Sequence, residues 1–251
     1  MSEVDNPDSN AWESRWRRAG IGKWIRKCSG IEVQQGTHDV RVMSLFEYSV
    51  DGVTTAATKW IYTLNSDAAL SIDIEVVLAD NLPPLPRIGV QFAVPRQPFV
   101  EGNNDSHGES STCENEFEQL EKVTWKGLGP FENYPDRQAA ARFALHQLTI
   151  KDMHTDYIFP TDNGLRSQCS MLNIGNTTVT GDFYFSVSEY GQPQLDAAKH
   201  TCDLSPRDCI FVYIDHAHMG VGGDDSWSPS THKEFLLEKK RYSYSLTLTA
   251  N

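Results

Sequence analysis

The segment from His216 to Pro229, H-A-H-M-G-V-G-G-D-D-S-W-S-P, combines residue types that could form a small binding site. Its glycines can adopt positive φ, so the loop can fold tightly and present Asp224, Asp225 and Trp227 close together. A flat indole beside carboxylate acceptors matches a pyranose, because one face of that ring is apolar and its hydroxyls are donors. The alternative is a buried turn in which the aspartates cap backbone N–H groups and Trp227 belongs to the core.

The same segment offers two histidines for a metal. His216 and His218 lie two positions apart and would point to one face of a strand, with Asp215 or Asp224 as a candidate third ligand. The more ordinary interpretation is one histidine hydrogen-bonded in the turn and the other at the surface. We therefore predict no metal site in this chain.

A second segment, G-L-G-P-F-E-N-Y-P-D-R at residues 127–137, contains Glu132, Asp136 and Arg137. These residues could be a catalytic group with its orienting partners, but they equally suit a rigid, proline-bounded corner that satisfies its own backbone. We favour the structural interpretation. Nucleophilic catalysis has little support, because the sequence contains no G-x-S-x-G elbow and no cysteine in a basic setting.

Strands predominate among the elements that must position these residues. Two β-rich runs, 38–50 and 53–64, flank Asp51-Gly52, a strong hairpin signal. The run 70–78 alternates apolar and polar residues, which predicts a strand with one buried face. Further predicted strands are 87–94, 181–188, 210–214 and 242–249. The absence of βα alternation excludes a TIM barrel or Rossmann fold.

A short amphipathic helix is expected within residues 10–27. Asn10 is a candidate N-cap, Trp12 and Trp16 lie four apart, and Gly20 or Gly22 marks the end. This stretch is basic, with Arg17 and Arg18 among its charges, and forms either a solvated face or a docking surface.

Length and composition, with 39% hydrophobic and 22% charged residues, fit one large all-β domain or two small domains. We favour one domain over residues 1–251. Between Pro95 and Lys122 the composition changes to Gly, Asn, Ser and Glu, which predicts an exposed insertion at 95–122. The net charge of -12 argues against nucleic acid and anionic membranes as partners.

The cysteines indicate the compartment. There are five of them without a C-x-x-C pair, so the sequence indicates neither a disulfide framework nor a zinc site. The first residues show no secretion signal, and no run approaches the length of a membrane span. We expect free thiols and a cytoplasmic location.

Three segments resemble consecutive signatures of the C-terminal domain of lacZ-type β-galactosidases, members of glycoside hydrolase family 2. They are the segment at 127–137, D-Y-I-F-P-T-D-N-G-L-R at 156–166, and H-M-G-V-G-G-D-D-S-W-S-P at 218–229. Their order and spacing also agree, and weaker similarity extends over almost the whole chain. The resemblance implies a large antiparallel β-sandwich of the galactose-mutarotase-like supersandwich type.

The resemblance also implies that catalysis and the lining of the sugar pocket are assigned to different domains. The catalytic glutamates and the Mg and Na sites of the family are expected on a TIM-barrel domain, so this chain is expected to carry no catalytic residue and no cofactor. Trp227 is expected to line the sugar pocket, with His218, Asp224 and Asp225 supporting its loop. The chain would then be the C-terminal domain or small subunit of a β-galactosidase for terminal β-D-galactosides, inactive alone and partnered by the barrel-bearing part. A natural small subunit, a truncated product and a cloned domain all fit.

A different class of function is a free-standing aldose-mutarotase-like enzyme, with His218 and Glu132 as general acid and base. A sugar-binding module is a further alternative. The fold permits all of these functions. We favour the β-galactosidase assignment, because the motifs match it in detail and no independent mutarotase signature is present.

Overall fold

The computed structural model describes residues 11–96, 121–224 and 231–250. Trp227, Asp225 and Asn10 lie outside the described residues, and what the sequence predicts for them stays a prediction. Most of the expected insertion at 95–122 also lies outside them. The strands on its two sides end at Pro95 and begin at Lys122.

Antiparallel β-strands make up most of the described chain, which confirms the expected all-β, sandwich-like fold class. The helices are α1 (Trp12–Arg18), α2 (Ile150–Met153) and α3 (Gln192–Ala197). The strands are β1 (Ile25–Gln35), β2 (Asp39–Val50), β3 (Val53–Asn65), β4 (Leu70–Leu78), β5 (Arg87–Pro95), β6 (Lys122–Gly129), β7 (Arg142–Thr149), β8 (Arg166–Ile174), β9 (Thr177–Ser188), β10 (Cys209–His218) and β11 (Arg241–Ala250).

The described residues divide into two compact units. The first is built from residues of the ranges 1–88, 135–137 and 217–249, and the second from residues of 89–134 and 138–216. The expectation of a single domain over residues 1–251 stays a prediction.

In the first unit, strands pair in the order β1-β2-β3-β4-β11, each antiparallel to the next. The β2–β3 hairpin turns at Asp51 and Gly52, whose φ angles of 50° and 79° suit the turn that this pair predicts. Strand β4 buries alternate residues, including Ile72 and Ile74. Both predictions from local pattern are therefore confirmed.

Helix α1 packs within the first unit through its tryptophans. The rings of Trp12 and Trp16 stack with their centroids 6.2 Å apart, and Trp16 Nε1 donates to the Pro84 carbonyl at 2.8 Å. The helix ends at Arg18, and Gly20 follows with a φ of 73°, so the predicted helix and its glycine stop are confirmed. Arg17 forms an ion pair with Glu13 on the helix surface.

In the second unit, strands pair in the order β7-β6-β8-β9-β10, each antiparallel to the next, and β5 pairs with β10. Its core contains Trp125, Leu172, Phe183 and Phe185, all fully buried. Of these strands, β6, β7 and β8 are not among those that the sequence predicts, and β1 of the first unit is missed as well.

The described residues contain short helices and four cysteines. None of their helices is long and apolar enough to cross a membrane. Their four cysteines, Cys28, Cys169, Cys202 and Cys209, are free thiols, as expected. Cys113 lies outside the described residues.

Candidate functional site

The glycine-rich segment that follows β10 has a backbone that only glycine adopts easily. Gly222 and Gly223 have φ angles of 71° and 128°, which are strained for residues with a side chain. Gly220 N donates to the Phe235 carbonyl at 2.9 Å, which fixes the start of the turn. The tight loop that the glycines predict is therefore present as far as Asp224.

Asp136 anchors this segment from a distant part of the sequence. Its Oδ1 accepts a hydrogen bond from Val221 N at 3.0 Å, and its Oδ2 accepts one from Gly222 N at 2.7 Å. A Cβ on Gly220 would lie 2.5 Å from Asp136 Oδ2, so a glycine is required for this close approach. Asp136 thus satisfies the backbone of another motif, whereas the sequence suggested that it would satisfy its own corner.

Asp224 and His232 lie on either side of residues 225–230 and contact each other. His232 Nε2 donates to Asp224 Oδ2 at 2.5 Å. Both side chains are largely exposed, at 58% and 70%. The hydrogen bond and then the charge of Asp224 raise the pKa of His232 above its ordinary value. Asp224 therefore binds a side chain here, and His232 is a residue of this site that sequence reasoning missed.

His218 lines a cleft of about 240 Å³ in the first unit. The other lining residues are Trp12, Trp16, Pro86, Met219, Gly220, Val221 and Thr231. His218 Nδ1 donates to the Met219 carbonyl at 2.7 Å, which orients the ring at the start of the loop. The role expected of His218, support of the loop that carries Trp227, stays a prediction. No local sequence pattern indicates that the α1 tryptophans share a cleft with His218.

Glu132 belongs to the second unit, where its carboxylate serves the fold. It accepts hydrogen bonds from Tyr134 Oη at 3.1 Å, from Gly164 N at 3.0 Å and from Tyr157 Oη. Burial, followed by the charge of Glu132, raises the pKa of Tyr134 above its ordinary value. These contacts join the segments 127–137 and 156–166. They do not favour the mutarotase alternative, which needs this carboxylate for proton transfer.

All three motif segments lie within a single family match. A profile of the family described as "Beta galactosidase small chain" matches residues 114–248, more than half of the chain. The chain belongs to this β-galactosidase small-chain family. The resemblance drawn from the three motifs is therefore confirmed.

The curated relatives that this chain matches are named β-galactosidase and are much longer than this chain. It is 63% identical over 250 residues to "Beta-galactosidase" of Alteromonas mediterranea and 55% identical over 249 residues to that of Pseudoalteromonas haloplanktis. It is 41% identical over 250 residues to that of Psychromonas ingrahamii. These matches cover 99–100% of this chain but only 22% of each relative. The small-chain sequence thus corresponds to a minor part of each relative.

Arg166 carries a buried positive charge at the end of the second small-chain motif. The residue is 2% exposed, and its guanidinium donates to the carbonyls of Pro130 at 3.1 Å, Gly164 at 2.7 Å and Met153 at 3.4 Å. Burial lowers its pKa to about 10, so the group stays charged at neutral pH. Arg166 is therefore a structural residue. Arg137, a candidate orienting residue of the first motif, has an exposed side chain.

The metal alternative gains no support from the described residues of this small-chain sequence. No three His, Cys, Asp or Glu side chains among them are grouped so that they could hold a metal ion. His216 and His218 accordingly form no such group there.

Proposed function

We propose that this chain is the C-terminal domain or small subunit of a β-galactosidase and helps to form the pocket in which terminal β-D-galactosides, such as lactose, are hydrolysed. The observation that carries the proposal is the match to the β-galactosidase small-chain family over residues 114–248. This chain matches only 22% of the length of the first two relatives, which supports a role as one part of a larger enzyme.

The proposal assigns the chemistry to the partner and not to this chain. A retaining glycosidase needs two carboxylates about 5 Å apart, one as nucleophile and one as acid/base. In the first motif, Glu132 and Asp136 accept hydrogen bonds from groups of the fold, which leaves them poorly suited to either role. We expect the catalytic glutamates and the Mg and Na sites on a barrel-bearing domain or subunit, and no turnover by this chain alone.

Trp227 is the residue that we expect to contact the sugar. Its role comes from the family resemblance, and two contacts at the flanks of residues 225–230 support it. Asp136 holds the backbone of Val221 and Gly222, and Asp224 pairs with His232. Fixed flanks lower the conformational entropy that a binding loop loses when substrate binds.

Reconstitution tests the proposal. The chain and the complementary portion of the Alteromonas mediterranea relative would be purified separately and mixed, and hydrolysis of a β-galactoside would be followed. Activity should appear in the mixture only. Turnover by the chain alone, or binding of the two parts without any turnover, would contradict the proposal.

A substitution tests the part assigned to Trp227. Stacking an indole on a sugar contributes about 1 to 3 kcal/mol, so Trp227→Ala should raise KM about tenfold to a hundredfold with a smaller change in kcat. Trp60→Ala, on strand β3, is the matched loss of an indole and should leave KM unchanged. An unchanged KM with a strongly lowered melting temperature would instead make Trp227 a core residue.

The proposal also places the assembled enzyme in the cytoplasm. The free thiols of Cys28, Cys169, Cys202 and Cys209 support a reducing location.

A further inference from the structure

The loop between α2 and β8 holds large apolar side chains in solvent. Ile158 is 96% exposed and Phe159 is 64% exposed. In the neighbouring motif, Phe131 is 69% exposed. Single exposed apolar residues are normal on a protein surface, but a contiguous group of them marks an interaction site.

One carboxylate joins the two segments that carry these side chains. Glu132, which follows Phe131, accepts a hydrogen bond from the hydroxyl of Tyr157, which precedes Ile158. Glu132 thus ties the segment that carries Phe131 to the loop that carries Tyr157, Ile158 and Phe159 within the second unit. We call these four residues the 131/158 patch.

The backbone beneath the patch is fixed by its own hydrogen bonds. The amide side chain of Asn163 accepts from Thr155 N at 3.0 Å and donates to the carbonyls of Thr155 at 2.8 Å and Thr161 at 3.1 Å. Gly164 N donates to Glu132 at 3.0 Å. The loop thus satisfies polar groups internally while its apolar side chains stay outside. A surface ordered in advance loses little conformational entropy when a partner covers it.

Two acidic residues flank Tyr157, Ile158 and Phe159 in the sequence. Asp156 directly precedes Tyr157, and its side chain is 76% exposed. Asp162, which follows Phe159 by three positions, is exposed and accepts a hydrogen bond from Gln192 Nε2 at 2.9 Å. An apolar centre with a charged rim is the usual layout of a protein–protein interface. A surface complementary to such a patch would be an apolar recess bordered by lysine or arginine.

We propose that the 131/158 patch is the surface by which this chain binds the remaining part of the β-galactosidase polypeptide, an inference that rests on the proposed function. The relatives indicate what binds the patch. This chain matches only 22% of their length, so the rest of each polypeptide is available to cover the patch. Three of the four patch residues, Tyr157, Ile158 and Phe159, lie in one family motif. Their neighbours Asn163, Gly164 and Arg166 in that motif are buried and serve the fold.

The test measures affinity between this chain and the complementary portion of the Alteromonas mediterranea relative. The double variant Ile158→Ser, Phe159→Ser should bind about tenfold to a hundredfold more weakly than the wild type, because it removes the apolar area buried by the partner. Its melting temperature should stay close to that of the wild type, since both side chains are exposed in the isolated chain. At saturating concentrations the reconstituted activity should equal that of the wild type.

A matched control removes exposed apolar side chains elsewhere. Ile31 and Val33 on β1 are 67% and 63% exposed, so the double variant Ile31→Ser, Val33→Ser changes a similar area in the first unit. Its affinity for the complementary portion should equal that of the wild type.

The outcomes separate the two proposals. If the wild-type chain neither binds the complementary portion nor restores activity, the proposed function fails, and the patch assignment falls with it. If the wild type restores activity and the 158/159 variant binds as tightly as the wild type, the patch assignment alone is wrong. The Ile158→Ser, Phe159→Ser variant could instead abolish self-association in sedimentation and keep its affinity for the complementary portion. That result would assign the patch to a contact with a second copy of this chain and would overturn the inference.

Discussion

The carboxylate of Asp136 and the backbone N–H of Gly222 are joined by a hydrogen bond of 2.7 Å across 86 positions of the sequence. The same carboxylate also accepts from Val221 N. The first and third family motifs therefore meet at one side chain. The loop that leads towards Trp227 takes its position from this contact as well as from its own glycines.

Replacing Asp136 with asparagine should loosen this loop. The amide side chain has one acceptor oxygen, so Asp136→Asn can satisfy only one of the two N–H groups and loses the charge. Because hydrogen bonds to charged groups contribute about 1.5 to 3 kcal/mol, we expect a loss of about 1 to 3 kcal/mol in the free energy of unfolding. In the reconstituted enzyme KM should rise.

The matched control is Asp67→Asn in the same unit. Asp67 accepts a single, longer hydrogen bond from Ala69 N at 3.4 Å, so its substitution should change stability by less than about 0.5 kcal/mol. Urea denaturation and Michaelis kinetics provide both readouts. Wild-type stability and KM in Asp136→Asn would show that the contact does not position the loop.

His232 should titrate above its ordinary range because of Asp224. A histidine whose pKa is raised on folding contributes stability that is fully present below its unfolded pKa, near 6.5, and is lost as pH rises through the folded pKa. The charged groups that face His232 are Asp224, Glu234 and Asp136. The contact between Asp224 and His232 should therefore weaken on the alkaline side of pH 6.5.

Proton NMR of the His232 ring gives the measurement. Asp224→Asn should bring the pKa of His232 back towards the ordinary histidine value, and Glu234→Gln should lower it by less. An identical titration curve in the wild type and Asp224→Asn would mean that the contact is absent in solution.

Loss of the buried guanidinium of Arg166 should destabilise the second unit. Arg166→Met leaves the carbonyls of Pro130, Gly164 and Met153 without these hydrogen bonds, at a cost of about 2 to 5 kcal/mol in the free energy of unfolding. Arg142→Met, at an exposed arginine of the same unit, is the control and should have little effect. Equal unfolding midpoints in urea for the two variants would refute this role.

The cysteines should react with a thiol reagent in an order set by burial. Cys28 and Cys202 are exposed and should react first in the native chain. Cys169 is 1% exposed, and burial raises its thiol pKa to about 12, so it should react only after unfolding. Denatured chain should titrate five thiols. A count of three or one would reveal disulfides, and early labelling of Cys169 would contradict its burial.

Local pattern predicts only part of this fold. Strand β4 and the Asp51-Gly52 hairpin are predictable because alternation and turn preference are properties of neighbouring residues. Nearly all residues of strand β1 are exposed. Burial therefore imposes no alternation of apolar and polar residue types on most of its length, and the strand is missed. Strand β6 is missed because glycines interrupt its end, although Val123 and Trp125 are fully buried.

Local sequence also predicts only part of the candidate site. The glycines of the 218–224 loop are predictable, because positive φ is a local requirement. The contact of Asp136 with Gly222 is not, because it spans 86 positions and depends on the fold. His232 is missed for a related reason: its role depends on a carboxylate eight residues away that lies on the other side of a loop.

The central claim is that this chain completes a β-galactosidase without supplying the catalytic carboxylates, and covalent labelling tests it most directly. A 2-deoxy-2-fluorogalactoside with a good leaving group reacts with the nucleophilic carboxylate of a retaining enzyme and leaves a long-lived sugar ester. The reconstituted mixture would be treated with this reagent, and both polypeptides would be weighed by mass spectrometry. We predict that the complementary portion gains one sugar and that this chain keeps its mass. A sugar ester on this chain would contradict the account.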